Sequence, residues 1–109
     1  MTVLDTSIII DRVKKREHII EIITEVSILE YPSILLYKMF PGQIYLIDRI
    51  DIEKALELKI SLRAIGKPKG IADLLIATIC INHGEKLITR DQDFRDIALV
   101  SNLDVEIIE

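Results

Sequence analysis

The chain has 109 residues, half of them apolar, with only 5% aromatics; that length bounds it to one domain with a single core and little surplus. Its 14 basic and 18 acidic residues give a net charge of −4, too apolar and mixed for a disordered chain and not the basic balance of a common nucleic-acid binder, unless several acids bind a cation. The lone Cys80 excludes an internal disulfide, no apolar run is long enough to span a membrane and no charged leader precedes one, so a cytoplasmic protein is expected.

Thr2-Val-Leu-Asp5 opens the chain as a short apolar run ending on an acid, which reads as a buried strand. Thr6 and Ser7 form the turn after it, with Ser7 as N-cap of a short helix from Ile8 to Lys14. The basic run Lys14-Lys15-Arg16 is read as a solvated corner. A second helix is expected over Arg16 to Thr24, on Ile19, Ile20, Ile22 and Ile23. In the next segment Glu30 interrupts Val26, Ile28 and Leu29, and Pro32 limits any helix before it. Ile34, Leu35, Leu36, Tyr37 and Phe40 are either core or a partner-facing surface.

Pro41-Gly42 marks a turn and Gln43 to Ile47 a strand. A helix from about Ile52 to Ile65 follows, with Asp51 as N-cap and Ala55, Leu58, Leu62 and Ile65 on one face; Gly66 and Pro68 stop it. The stretch Lys69 to Gly84 reads as a central buried helix, apolar almost all round through Ile71, Leu74, Leu75, Ile76, Ile79 and Ile81 and closed by Gly84. Lys86 to Thr89 is a strand that again ends on an acid, Asp91. Gln92 to Val100 reads as helix and Val105 to Ile108 as a last strand. Strands alternating with helices imply a mainly parallel four-stranded sheet covered on both faces, an α/β/α sandwich with the first strand between the second and third.

Asp73 sits inside the first turns of the most apolar helix. A carboxylate there is paired with a base, favoured by the helix N-terminus, or facing a site, and the small Gly70 and Ala77 leave room beside it. In a parallel sheet ligands bind beyond the carboxyl ends of the strands. Asp5 and Asp91 follow two such strands, and the direction of the central helix carries Asp73 to the same edge. Glu30 is a fourth candidate. Clustered carboxylates raise one another's pKa unless a cation neutralises them, and all-oxygen donors select Mg²⁺ or Mn²⁺. His18, His83 and Cys80 lack zinc-ligand spacing. Such a site suits phosphodiester hydrolysis, in which the metal activates water and stabilises the leaving oxygen.

Val3-Leu-Asp5-Thr-Ser-Ile-Ile-Ile, Ile71-Ala-Asp73-Leu-Leu-Ile-Ala77 and Leu87-Ile-Thr-Arg-Asp91-Gln-Asp-Phe94 resemble, in order, the three signature segments of PIN domains, most of all the VapC-type toxin ribonucleases. The resemblance implies a metal-dependent endoribonuclease with a Mg²⁺ or Mn²⁺ cofactor, an RNA substrate, an antitoxin partner and a homodimer. It carries the catalytic acids onto Asp5, Glu30, Asp73 and Asp91, with Asp5, Asp73 and Asp91 as metal ligands. Ser7, Thr89 and Asp93 would support them, and Lys67, Lys69 and Arg90 would hold flanking phosphates. The chain is shorter than a usual member, and the shortening falls between Asp5 and Asp73; Glu25 lies there too, but Glu30 precedes the segment where the family's second helix continues.

Two other classes share parts of this pattern. A haloacid-dehalogenase-like phosphatase needs an acid two residues beyond Asp5, where Ser7 stands, and a phosphoacceptor receiver domain needs paired acids before that strand, which are absent. A non-catalytic interaction module of the same fold would keep the acids without the chemistry.

Overall fold

A computed structural model describes all residues, Met1–Glu109. The chain runs β1 (Thr2–Leu4), α1 (Thr6–Lys14), β2 (Ile23–Thr24), α2 (Glu25–Glu30), a 3-10 turn over Pro32–Leu36, β3 (Ile44–Tyr45), α3 (Arg49–Ala64), α4 (Ile71–His83), β4 (Lys86–Thr89), α5 (Asp93–Leu99) and β5 (Val105–Ile107). Every strand pair is parallel: β1 lies beside β4 and β4 beside β5, while β2 pairs with β3 in a second, two-stranded sheet. A bridge between Val3 and Ile22 joins the two, with the Leu4 amide donating to the Ile22 carbonyl at 2.9 Å and the Ile22 amide to Thr2 at 3.0 Å.

Alternation along the strands builds two cores. Val3, Ile22 and Leu87 point to one side, against α3, α4 and α5 through Ala55, Leu58, Leu62, Leu74, Ile79 and Phe94. Their neighbours Leu4, Ile23 and Ile88 point to the other, against Ile8 and Ile9 of α1, Ile19 and Ile34. A period of two in each strand produces this division, and the result is the expected α/β/α sandwich. No helix is long and apolar enough to cross a membrane.

The segment from Arg16 to Thr24 is not helical. Arg16 takes a left-handed turn (φ 57°), and the chain then runs extended into β2. Positions 19, 20, 22 and 23 fit a helical stripe, but four β-branched isoleucines also suit extended chain, and Ile20 is 67% exposed while Ile19, Ile22 and Ile23 are buried. The bidentate Arg12–Glu21 pair (2.9 and 2.8 Å) ties this segment to α1. β2 is therefore a fifth strand, and it, rather than β3, bonds to the first. Ile71 is also an exception to the buried surface of α4, at 60% exposure. The segment expected to be wholly core or wholly partner-facing divides: Ile34 is buried, Leu35 and Leu36 are exposed, and the Tyr37 hydroxyl donates to the Glu17 carbonyl at 2.6 Å.

Helix ends set the positions of the acids at the sheet edge. Asp5, not Ser7, caps α1. Asp48 caps α3, and Asp51, three residues later, is buried, accepting from the Asp48 amide (2.9 Å) and the Asn82 side-chain amide of α4 (2.8 Å). Gly84 leaves α4 at φ +66°, which a Cβ would disfavour, and its turn feeds β4 directly back into the sheet. Asp51→Ala would remove two charge-assisted hydrogen bonds made by a buried carboxylate, so it should cost about 2 kcal/mol and lower the melting temperature by roughly 10 °C. A thermal melt showing a change under about 2 °C would mean that this link between α3 and α4 contributes little.

Candidate active site

The carboxyl ends of β1 and β4 are adjacent because those strands pair in register, Leu4 beside Ile88. Asp5 leaves β1 there and is buried, being only 7% exposed. One of its carboxylate oxygens accepts from the Thr6 amide at 2.9 Å, the other from the Thr89 hydroxyl at 2.7 Å. Thr89, the buried last residue of β4, also accepts from the Asp91 amide at 3.0 Å. Asp91 in turn accepts from the Asp93 amide at 2.9 Å, which starts α5. A continuous set of hydrogen bonds thus runs from α5 through Asp91 and Thr89 to Asp5.

Glu30 reaches the same place from α2. Thr6 Oγ1 donates to its carboxylate at 2.6 Å and lies 2.8 Å from Ser27 Oγ. A threonine hydroxyl has one proton, and a carboxylate can only accept it, so Ser27 must donate to Thr6 and Thr6 to Glu30. Ser27 is itself 1% exposed. The supporting hydroxyls beside Asp5 are therefore Thr6 and Ser27; Ser7, one residue on, is exposed and makes no side-chain hydrogen bond. Glu25 faces elsewhere, its carboxylate accepting from the Ile47 amide at 2.8 Å.

Asp73 stands in the first turn of α4, where the helix N-terminus favours an anion. One carboxylate oxygen from each of Asp73, Asp91 and Asp93 lies within 4.8 Å of the others. Asp5 falls outside that tightest trio and is joined to it through Thr89. No ion pair of the molecule involves Asp5, Glu30, Asp73 or Asp91. The electrostatic result is direct: burial, then the charges of Asp91, Asp5, Glu30 and Asp93, push the Asp73 carboxyl up to about 6. Burial also raises Asp5; hydrogen bonds from Thr89 and Thr6 pull it back, and the charges of Glu30 and Asp91 add to the rise.

The basic residues near the edge are already engaged. Arg90 pairs with Asp11 at 3.0 Å, Lys67 with Asp96 at 3.6 Å, and Lys69 with Asp96 at 2.8 Å and Asp93 at 3.3 Å. Carboxylates grouped at one sheet edge, repelling one another and, Asp93 apart, supplied with no base, fit a hard divalent cation bound by oxygen donors.

The family model described as PIN domain matches residues 32–100. The chain belongs to the PIN domain family. Asp73, Asp91 and Asp93 fall within the matched span, while Asp5 and Glu30 precede it. The chain is similar to VapC ribonuclease Mb1587 of Mycobacterium bovis, 39% identical over 57 residues; that stretch is 51% of this chain and 42% of the relative, so the match spans less than half of the relative's length. Its fold is that of VapBC2 from Rickettsia felis, solved bound to a promoter DNA fragment (TM-score 0.77, 20% identity, 99% of this chain and 98% of that one). It also resembles VapBC-5 from Mycobacterium tuberculosis, a member of the VapBC family of toxin–antitoxin systems (TM-score 0.67, 24% identity, 99% and 97% covered).

Asp73 has a folded pKa above its ordinary 3.8, so the folded state binds the extra proton. Its penalty is absent below about pH 4, grows as pH rises and is complete above about 6 to 7. Asp73→Asn should therefore stabilise the chelator-treated protein at pH 7, on the order of 1 kcal/mol after allowing for solvent contact, and by less at pH 5. Melting curves at the two pH values check this; a variant less stable than wild type at pH 7, or equally shifted at both, contradicts the repulsion.

Proposed function

We propose that this PIN domain is a divalent-metal-dependent endoribonuclease acting as the toxin of a toxin–antitoxin pair. The observation that carries the reading is the group of carboxylates from β1, α2, α4 and β4 with no basic partner. A structural ion-pair network would have supplied that base. The partial ribonuclease relative and the toxin–antitoxin systems that share the fold support the same setting.

Asp5, Asp73 and Asp91 are the ligands in this reading, with Asp93 beside them and Mg²⁺ or Mn²⁺ as the ion. When bound, such an ion supplies Lewis-acid stabilisation of charge on a phosphodiester and acidifies water. The chain's own residues provide orientation. Thr89 and the Thr6 amide fix both oxygens of Asp5, so it meets a cation without rotamer loss. Thr6, itself held by Ser27, aims Glu30 at the same edge, where it can accept a proton from water. Asp73, whose carboxyl burial and neighbouring acids lift to about 6, would be favoured in its ionised form by a nearby cation. Lys67 and Arg90 can exchange their present carboxylate partners for RNA phosphates, whereas Lys69 is held by both Asp93 and Asp96.

The reading includes an antitoxin partner and self-association. Ile52, Leu56 and Ile60 form an exposed apolar stripe on α3 beside exposed Ile71. Glu53 lies toward its start and Lys59 and Arg63 toward its end, so two copies packed antiparallel about a two-fold axis would set opposite charges together. Leu56→Lys should convert a sedimenting dimer to monomer at tens of micromolar protein; a wild type that sediments only as monomer contradicts the homodimer.

Purified wild type should cut a mixed single-stranded RNA pool with Mn²⁺ and stop on chelation. Asp5→Asn should fold and lose activity by about a hundredfold or more, whereas Glu25→Gln should cleave at close to the wild-type rate. Equal cleavage by wild type and Asp5→Asn would place the activity elsewhere. No cleavage by either would favour a non-catalytic module of the same fold.

A further inference from the structure

One carboxylate of the trio is shared with a lysine. Lys69 lies in the link between α3 and α4, directly after Pro68. Its side chain is only 10% exposed, unusual for lysine, and its ammonium sits between two acids of α5: Asp96 at 2.8 Å and Asp93 at 3.3 Å. Asp96 is outside the trio and is also approached by Lys67 at 3.6 Å. Asp93 is inside it, within 4.8 Å of ligand atoms from Asp73 and Asp91. The side chain of Asp93 is 58% exposed, so no packing holds its carboxylate to one partner.

We propose that Lys69 is a positioning residue, a tethered counter-ion that competes with the divalent cation for Asp93. This rests on the metal-site reading of the same acids. Asp96 is the anchor: it makes the shorter contact and keeps the ammonium local whichever way Asp93 turns. With no metal bound, Lys69 shares Asp93 with the trio and neutralises part of the charge that Asp73 and Asp91 would otherwise meet. With metal bound, Asp93 gives its carboxylate to the cation and Lys69 stays on Asp96. The lysine thereby weakens metal binding while relieving the metal-free fold of repulsion, and both effects pass through a single carboxylate. Asp91, whose own carboxylate accepts the Asp93 amide, keeps the Asp93 backbone fixed during the exchange.

Mn²⁺ binding to the full chain, followed by the spectroscopic signal of free Mn²⁺, tests this without recourse to activity. Wild type, Lys69→Met, Asp93→Asn and the double variant form a cycle. Lys69→Met should tighten Mn²⁺ binding by about three- to tenfold in the wild-type background and by much less in Asp93→Asn. Lys69→Arg, which keeps the charge, should restore an affinity within about twofold of wild type. Where Met at this half-buried position prevents folding, Lys69→Gln, which can still donate to both acids, carries the same expectation. An unchanged affinity overturns the proposal. So does an equal gain with and without Asp93, since that is the generic effect of deleting a positive charge. A purely structural lysine would alter the melting temperature and leave the Asp93 dependence flat. Wild type that binds no Mn²⁺ contradicts the metal site itself and removes the inference with it, a result distinct from intact binding that Lys69 does not affect.

Discussion

Mutual repulsion among carboxylates at the carboxyl edge of β1 and β4 is the constraint to which the surrounding structure answers. Asp5, Asp91 and Asp73 reach that edge from three elements, and burial plus neighbouring charge lifts the Asp73 pKa to about 6. Nothing basic offsets this at Asp5, Asp73, Asp91 or Glu30. The fold offers partial compensation through dipoles: hydroxyls of Thr89 and Thr6, the Thr6 and Asp93 amides, and the first turn of α4. These groups orient acids but do not neutralise them. The proposed cation site would draw on this uncompensated charge, at a cost in the stability of the metal-free chain.

The remainder of the molecule makes that cost tolerable. Two apolar cores, one on each face of the strands, hold β1 and β4 so that their ends cannot separate. The buried Asp51 joins α3 to α4, and Gly84 turns α4 straight into β4, so the helix carrying Asp73 and the strand leading to Asp91 are linked by one short turn. Lys69 works against the same repulsion from outside, at Asp93, whose side chain is 58% exposed.

Much of this was legible in the sequence, for identifiable reasons. Asp5 and Asp91 each end an apolar run too short for anything but a buried strand, and parallel topology puts such ends on one edge. Asp73 was legible because a charge in the first turns of an apolar helix needs a reason. The span from Arg16 to Thr24 was not, since isoleucines at 19, 20, 22 and 23 satisfy a helical and an extended period alike; only the bridge to β1 decides between them. The roles of Thr6 and Ser27 rest on a contact between residues 21 apart in sequence, which no local pattern reports. Ser7 and Thr6 are adjacent hydroxyls, and only the helix start at Asp5 determines which one faces inward. Likewise, nothing in the order of residues says that Lys69 is held between two acids of a helix that begins 24 positions later.

The central claim is that these acids share one cation. Crystals grown without chelator and soaked in Mn²⁺ test it most directly, because manganese is located by its anomalous scattering independently of any assumed ligand. The expected result is a peak within coordination distance of Asp73 and Asp91, with Asp5 or Asp93 completing the protein ligands. Manganese bound only at surface acids such as Glu57 or Asp104, with the edge of β1 and β4 empty, would contradict it.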